Sequence, residues 1–264
     1  MILLHIGDVV GRLGRRACRM LLPELTEQYR PDFIIINGEN SAGGTGITTS
    51  TAEELLAMGA ACITTGNHVW AQKQALELLE TEHNILRPAN YPPGVPGVGS
   101  GLFETRPASG VRVGVINLCG RVFMHELDCP FRAADAELEA LAEHTAVVIV
   151  DMHAEATSEK QAMGRHLDGR VSAVLGTHTH VQTADECILP AGTAYITDVG
   201  MTGATDSIIG VEPESVLTRF RLQMPQRFDP PKKGPSFLCA AVVDIDEETG
   251  RARSIERIRR DLDG

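Results

Sequence analysis

A chain of 264 residues, of which 43% are hydrophobic and 22% charged, has the composition of a folded globular protein and not of a disordered one. The formal net charge of -11 excludes the broad basic surface with which proteins bind long nucleic acids, but it leaves local phosphate binding open. The apolar runs are shorter than the roughly 20 residues of a membrane helix. The six cysteines contain no CxxC pair and lie mostly inside apolar runs, which predicts buried thiols. We therefore expect a protein of the reducing cytoplasm, without a membrane anchor.

Along the chain, apolar runs that end in polar turns alternate with amphipathic stretches. The runs predict strands at residues 2–6, 33–36, 60–64, 111–118, 146–150 and 171–175. Apolar residues at helical spacing predict helices within residues 18–29, 71–79 and 134–142, the first of them kinked or restarted at Pro23. Such alternation indicates an α/β fold in which the strands are buried on both faces.

After residue 180 the pattern changes to shorter runs that look like hairpin strands. These runs lie at residues 187–197, 214–224 and 237–258, and the last of them contains a turn around residues 248–250. Because no polar linker or break in composition interrupts the chain, we expect residues 1–264 to form a single domain.

Polar residues with metal-binding side chains follow most of the predicted strands. They are Asp8, Glu39, Asn40, Asn67, His68, His153, His178 and His180. The carboxyl ends of the strands in an α/β fold meet at one edge, where ligands bind. We therefore expect these side chains to gather in one site.

Two carboxylates, amide oxygens and three imidazoles suit two adjacent divalent cations. Glu39 is the natural bridge between the cations, and a hydroxide shared by them would attack phosphorus in a phosphoester. In an extended segment, His178 and His180 would point to the same side and bind neighbouring cations. His68 would point elsewhere and is the candidate general acid.

The motifs GDVVG, NGEN, GNH, DMHAE and GTHTH, in this order after successive strands, resemble those of the calcineurin-like metallophosphoesterases. The longer strings NGENSAGGTGIT, DMHAEATSEK and GTHTHVQTADECILPAGTAYITDVGMTG resemble the bacterial YmdB-type subfamily, and the resemblance covers most of the chain. It implies a four-layer αββα sandwich, a dinuclear iron or manganese centre, and a phosphodiesterase that acts on substrates such as nucleoside 2',3'-cyclic phosphates.

The resemblance also implies a division of the ligands. Asp8 and His180 would hold the first cation, and Glu39 would bridge the two. The second cation would be held by Asn67, His153 and His178, with Asn40 either a ligand or a neighbour of one. The sequence departs from the broader superfamily in having Val10 where a histidine ligand is usual and Glu39 where an aspartate bridges, and the subfamily shares both changes.

Other interpretations remain open at this stage. Gly7, Gly11 and Gly14 suggest a nicotinamide-binding oxidoreductase, but their spacing is not GxGxxG. A regulatory protein that binds a nucleotide or RNA at the metal site, with little turnover, is the main alternative. Arg12 and Arg15 either contact a substrate phosphate or lie on a solvated helix face.

Several properties do not follow from the residue types. Nitrogen and oxygen ligands are compatible with zinc as well as with iron and manganese. The loop at residues 91–101 and the C-terminal hairpins are candidates for a homo-oligomer interface.

Overall fold

The computed structural model describes residues 1–105 and 110–263. Its helices are α1 Gly11–Tyr29, α2 Thr49–Ala57, α3 Ala75–Thr81, α4 Pro130–Leu141, α5 Thr157–Leu167 and α6 Pro213–Leu222. The strands of the first half are β1 Ile2–Ile6, β2 Asp8–Val9, β3 Phe33–Asn37, β4 Cys62–Thr64, β5 Ile85–Leu86, β6 Ser100–Glu104 and β7 Arg112–Cys119. Those of the second half are β8 Val147–His153, β9 Ala173–Thr177, β10 Cys187–Ile188, β11 Ala194–Ile196, β12 Met201–Ala204, β13 Ser236–Ile245 and β14 Ala252–Leu262.

The strands form two sheets. The first has the order β2-β12-β13-β1-β3-β4-β5, with β14 paired to β13, and the second has the order β10-β11-β9-β8-β7-β6. The neighbours β1, β3, β4 and β5 run parallel, and so do β7, β8 and β9. The carboxyl ends of several strands in each sheet are therefore available to build a single edge.

The two sheets pack face to face, and helices cover their outer faces. Leu3 and Ile35 of the first sheet are buried against Leu175 of the second. Their neighbours Leu4 and Ile36 point to the opposite face, in the core that the first sheet shares with α1, α2 and α3. A third cluster joins the second sheet to α4 and α5. The alternation of side chains along each strand thus serves two cores, and the predicted four-layer αββα sandwich is confirmed.

The prediction of a strand within residues 214–224 is wrong, because these residues belong to α6 and its C-terminal cap. Pro213 opens the helix, Glu214 lies in its first turn, and Gln223 ends it in the left-handed conformation. Pro213 and Glu214 are favourable at a helix start, and of the apolar side chains in α6 only Val216 is buried. The other predicted hairpins, β10 with β11 and β13 with β14, are confirmed.

Two further expectations need correction. Helix α1 begins at Gly11 and continues through Pro23 to Tyr29, so of the predicted kink or restart at Pro23 the restart is wrong. Of the six free cysteines, which the sequence predicts to be mostly buried, Cys187 is exposed and Cys129 is partly exposed. Among the helices of residues 1–105 and 110–263, none has the length and apolarity needed to cross a membrane.

We expect Leu3→Ala to lower the free energy of unfolding by about 2–5 kcal/mol, because Leu3 is fully buried between the two sheets and the substitution leaves a cavity. The matched control is Leu76→Ala in α3, where the leucine is 50% exposed and the expected change is within about 0.5 kcal/mol. Urea unfolding of both variants measures the difference. Equal effects would contradict the assignment of Leu3 to the inter-sheet core.

Candidate metal centre

The predicted site residues meet where the two sheets end. Nε2 of His153, at the end of β8, lies 3.0 Å from Oε1 of Glu39 and 3.1 Å from Oδ1 of Asn67. Nδ1 of His178 lies 3.1 Å from the same nitrogen. Glu39, His153 and His178 each offer one ligand atom within 4.8 Å of the others, which is a spacing suited to a metal ion. Residues from both sheets thus contribute to one cluster.

Gly66, just before Asn67, permits this close approach. A Cβ atom at position 66 would lie 2.2 Å from the ring of His153 and 2.4 Å from Oε2 of Glu39. Any side chain there would displace one of the two groups, so the glycine is required by packing against the cluster.

Each of the three histidines has one ring nitrogen engaged outside the cluster. Nδ1 of His153 lies 3.0 Å from Oγ1 of Thr177, and the hydroxyl of Thr177 donates to Asp151 Oδ1 at 2.6 Å. Since that hydroxyl proton is used, Thr177 accepts the Nδ1 proton of His153. The other nitrogen, Nε2, therefore faces Glu39 and Asn67.

The same arrangement holds for the other two imidazoles. Nε2 of His178 lies 3.1 Å from Oε2 of Glu155, and Nδ1 of His180 lies 2.8 Å from the carbonyl oxygen of Ile209. The hydrogen-bond partners assign the proton to those nitrogens and leave Nδ1 of His178 and Nε2 of His180 free to bind a cation. Nε2 of His180 lies 3.9 Å from Oδ1 of Asp8.

The segment that carries His178 and His180 is not extended, and the predicted reason for their convergence is wrong. Strand β9 ends at Thr177, and the backbone φ angles of His178 and His180 are 94° and 66°. These positive values are unfavourable for residues other than glycine and are typical of strained functional segments. The two rings accordingly point toward different carboxylates rather than to one side of a strand.

A buried ion pair stabilises this turn. Oδ2 of Asp198 accepts hydrogen bonds from the backbone nitrogen and the hydroxyl of Thr179, at 3.1 and 2.7 Å. Nζ of Lys160 lies 2.6 Å from the same oxygen, and both side chains are almost completely buried. The backbone nitrogen of His178 donates to Oδ2 of Asp8 at 3.1 Å. Charge-assisted hydrogen bonds therefore offset the backbone strain.

The donor set fits a cation. In residues 1–105 and 110–263, Oδ1 of Asp8 and Oδ1 of Asn40 are buried acceptors that receive no hydrogen bond. In addition, the single Nε2 position of His153 faces three acceptor atoms at 3.0–3.1 Å. Unpaired buried acceptors are costly, and a divalent cation would satisfy them together.

The pKa values of the cluster favour a proton on His153, at the position where a cation would bind. Burial opposes protonation of His153, but the negative charge of Glu39 and the hydrogen bond to it raise its pKa to about 9. For Glu39, burial opposes ionisation, yet the charge of His153 lowers the pKa to about 2. Burial raises the pKa of Asp8 to about 6, although His180 and His153 act in the opposite direction. Burial and the charge of His153 lower the pKa of His178 to about 3.

His68 and Asn40 lie at the margin of the cluster. The backbone nitrogen of His68 donates to Oε2 of Glu39 at 3.2 Å, and its Nε2 lies 3.4 Å from Nδ2 of Asn67. Burial lowers the pKa of His68, while the charge of Glu39 counteracts this effect. Nδ2 of Asn40 donates to the carbonyl oxygen of Gly44 at 3.0 Å, which leaves its Oδ1 directed away from that bond.

A cavity of about 330 Å³ opens over the cluster. Its lining includes polar atoms of the cluster and an apolar side, and its wall is completed by the glycine-rich segment around Gly44. The apolar residues are Val10, Ile209, Val211, Phe228 and Pro230. A small phosphoester with an apolar or aromatic group matches such a lining.

Five supporting residues were not assigned to the site from the sequence. Asp151 and Glu155 flank His153 within the DMHAE motif, and Thr177 lies inside the GTHTH string, so their positions next to predicted ligands are the signal that could have found them. Lys160 and Asp198 are far apart in the sequence, and nothing in the local pattern signals that they pair. A buried lysine or aspartate becomes informative only when its partner is known.

The sequence and the structure both resemble known proteins. Residues 4–258 match the family model described as YmdB-like protein. A 2',3'-cyclic-nucleotide 2'-phosphodiesterase of Bacillus subtilis strain 168 is 48% identical over 258 residues, which cover 98% of this chain and 96% of that protein. The resemblance inferred from the motifs is thereby confirmed.

Two solved structures support the fold. A novel phosphatase from Mycoplasma pneumoniae is 34% identical, with a TM-score of 0.92, and the match covers 100% of this chain and 94% of that one. The calcineurin-like phosphoesterase YfkN from Bacillus subtilis has a TM-score of 0.54 at 11% identity, over 100% of this chain and 90% of that one, which is a similarity of fold alone. Among the described residues, the cluster of Glu39, His153 and His178 is a group able to hold a metal ion.

We expect the affinity of the metal-free protein for Mn²⁺ to rise about tenfold per pH unit between pH 6.5 and 8.5, since a cation must displace the proton of His153 and its pKa is about 9. Below about pH 6 the affinity should fall more steeply, because Asp8 then also carries a proton. Anaerobic titration with a competing chelator measures the affinity. His83→Gln, at an exposed histidine, is the control and should not alter the slope. An affinity that is constant over this range would refute the exchange of proton for cation.

Proposed function

This chain belongs to the YmdB-like family, and from that premise we propose that it is a metal-dependent phosphodiesterase that opens the ring of nucleoside 2',3'-cyclic phosphates. The observation that carries the proposal is the convergence of Glu39, His153 and His178 on one point, beside two buried acceptors that lack a hydrogen-bond donor among the described residues. The relative from Bacillus subtilis matches almost the whole chain and is named for this activity.

We assign the ligands of two cations as follows. Asp8 and His180 would hold one cation, Asn67, His153 and His178 would hold the second, and Glu39 would be a ligand shared by both. Asn40 either binds a cation through its Oδ1 or orients the carboxylate of Glu39. Iron and manganese are the expected metals, and zinc is compatible with the ligands. When bound, the cations supply an activated water molecule and neutralise charge on the phosphate.

The residues of the chain then act on the substrate and on one another. Thr177, Glu155 and the carbonyl of Ile209 hold the three imidazoles in their binding tautomers. Hydrolysis adds water across one P–O bond of the cyclic phosphate. In line with the name of the relative, the bond to O2' breaks, which gives a 3'-monophosphate and a 2'-hydroxyl group.

His68 is the proposed donor of the proton that the leaving 2'-oxygen requires. It lines the cavity and is held next to Glu39 by its own backbone nitrogen. The free imidazole has a lowered pKa, but the negative charge of a bound phosphodiester favours its protonated form. A proton held at this position can reach the leaving oxygen as the bond to phosphorus breaks.

We expect metal-loaded protein to hydrolyse adenosine 2',3'-cyclic phosphate and Glu39→Gln to lower kcat by at least about 100-fold, because the substitution removes the bridging charge. The matched control is Glu27→Gln, at an exposed glutamate of α1, which should leave the rate unchanged. Full activity of Glu39→Gln would refute the proposal. Tight binding of RNA without hydrolysis would instead support a regulatory protein.

We expect His68→Gln to lower kcat about 10²- to 10⁴-fold for a substrate with an alkoxide leaving group, but much less for bis(p-nitrophenyl) phosphate, whose leaving group needs no proton. The ratio of the two effects is the measurement, because a merely structural loss lowers both rates alike. An equal loss for both substrates would contradict a role for His68 as the general acid.

A further inference from the structure

A second cavity, of about 480 Å³, adjoins the cavity over the metal cluster. Pro230 lines both cavities, and Gly43 of the second is next to Gly44 of the first. We call it the basic cavity, and its lining residues are Arg12, Gly43, Arg227, Asp229, Pro230, Pro231 and Lys232. A ligand that extends out of the metal cavity past Pro230 would enter it.

The charge of the basic cavity is opposite to that of the chain. Three of the seven lining residues are cationic, although the whole chain carries a formal charge of -11. Asp229 is the single acid, and its Oδ1 is paired with Nε of Arg227 at 2.9 Å. Among the described residues, Arg12 and Lys232 form no ion pair with an acidic group, so their charges are available to an anion.

The two arginines at the start of α1 have different surroundings. Nε of Arg15 donates to Oε2 of Glu54 at 2.7 Å, and a second nitrogen of Arg15 donates to the carbonyl oxygen of Ser41. This network occupies Arg15. Arg12 is exposed and lines the basic cavity. The sequence leaves phosphate contact or a solvated face open for both arginines, and of the two Arg12 is the one that lines this cavity.

The wall between the two cavities is held in place by packing. A Cβ atom at Gly11 or Gly44 would lie 3.0 or 3.1 Å from Pro230, so both glycines allow the proline to sit directly on the start of α1. The backbone nitrogen of Glu212 donates to the carbonyl oxygen of Asp229 at 2.9 Å, which ties the same segment to the start of α6. Asp229 and Pro230 are therefore anchored to the starts of α6 and α1.

Phe228 supplies a surface for a nucleobase. It lies two residues before Pro230, lines the metal cavity, and is 46% exposed. Stacking of a base on an aromatic ring is independent of which base it is. A terminal nucleotide could thus place its cyclic phosphate at the metal cluster and its base near Phe228.

We infer that the basic cavity binds the phosphate on the 5' side of the cyclic-phosphate nucleotide, so that the preferred substrates are short RNA ends that carry a 2',3'-cyclic phosphate. This inference rests on the proposed function. The 5' oxygen lies across the ribose from the cyclic phosphate, and in an oligonucleotide it bears the next phosphodiester. Arg12 and Lys232, which have no acidic partner among the residues that the structure describes, are the groups that recognise this anion.

The test compares kcat/KM for three substrates with metal-loaded protein: adenosine 2',3'-cyclic phosphate, its 5'-phosphorylated form, and a dinucleotide that ends in the same cyclic nucleotide. We expect the dinucleotide to be preferred over the mononucleotide about tenfold. The double variant R12A/K232A should lose this preference. The 5'-phosphorylated mononucleotide distinguishes a terminal phosphate from a phosphodiester as the recognised group.

The matched control is Arg251→Ala. Arg251 lies just after β13, and the end of β13 pairs with Met1. Met1 and Asp8 flank the two ends of β1, so Arg251 is at the opposite end of the strands from Asp8. This control should retain the preference. Binding of a 5'-fluorescein trinucleotide with a cyclic-phosphate end to metal-free protein, followed by polarisation, provides a second measurement that does not need turnover. Its affinity should fall about tenfold in R12A/K232A and fall further with added salt.

Equal kcat/KM for the mononucleotide and the dinucleotide, or an unchanged trinucleotide affinity in R12A/K232A, would overturn the inference. Equal losses of kcat/KM for all three substrates in R12A/K232A would also overturn the inference, because they would indicate damage to the metal site. Hydrolysis of the mononucleotide with no preference for the dinucleotide refutes the basic cavity alone. Failure to hydrolyse any of the three refutes the proposed function itself.

Discussion

Four carboxylates, those of Asp8, Glu39, Asp151 and Asp198, are buried at the same edge of the two sheets. A buried negative charge is tolerated only with a compensating partner, and three of the four have one inside the protein. Lys160 pairs with Asp198, hydroxyl and amide groups donate to Asp151, and the proton of His153 faces Glu39. Asp8 has one oxygen that receives no hydrogen bond from the described residues. The site is therefore built as a pocket of excess negative charge, which is the property a cation site requires.

The two compensated aspartates act on the site from a distance. Asp198 fixes the turn at Thr179, and Asp151 fixes the hydroxyl that orients His153. Both are positioned by strands or their immediate continuations, so the geometry of the imidazoles follows from the rigid part of the fold. The wall of the cavity over the cluster is formed differently from the metal cluster. It consists of the glycine-rich segment near Gly44 and the segment around Pro230, which are loops and not strands. This division matches the general pattern in which a rigid scaffold holds the reactive groups and loops decide which substrate fits.

Much of this could be predicted from the sequence, since continuous apolar runs that end in polar turns indicated the strands that deliver the ligands. The failures have local causes. In α6 the apolar residues are mostly exposed, so the hydrophobic pattern carried little information, and the signals for a helix start, Pro213 and Glu214, were the informative ones. At His178 and His180 the sequence favoured an extended segment, but contacts with Asp8 and Asp198 impose positive φ angles. Such tertiary contacts override local preference.

By itself, the sequence determined which chemical groups stand at the ends of the strands and that the central parallel strands β3, β8 and β9 are buried on both faces. These properties depend on residue type and spacing, which are local. The tertiary structure alone decided which nitrogen of each imidazole faces the cluster, since the partners Glu155, Thr177 and Ile209 come from different parts of the fold. It also decided that Arg12, and not Arg15, lines a cavity beside the cluster. Both outcomes depend on groups that are distant along the chain and adjacent only after folding.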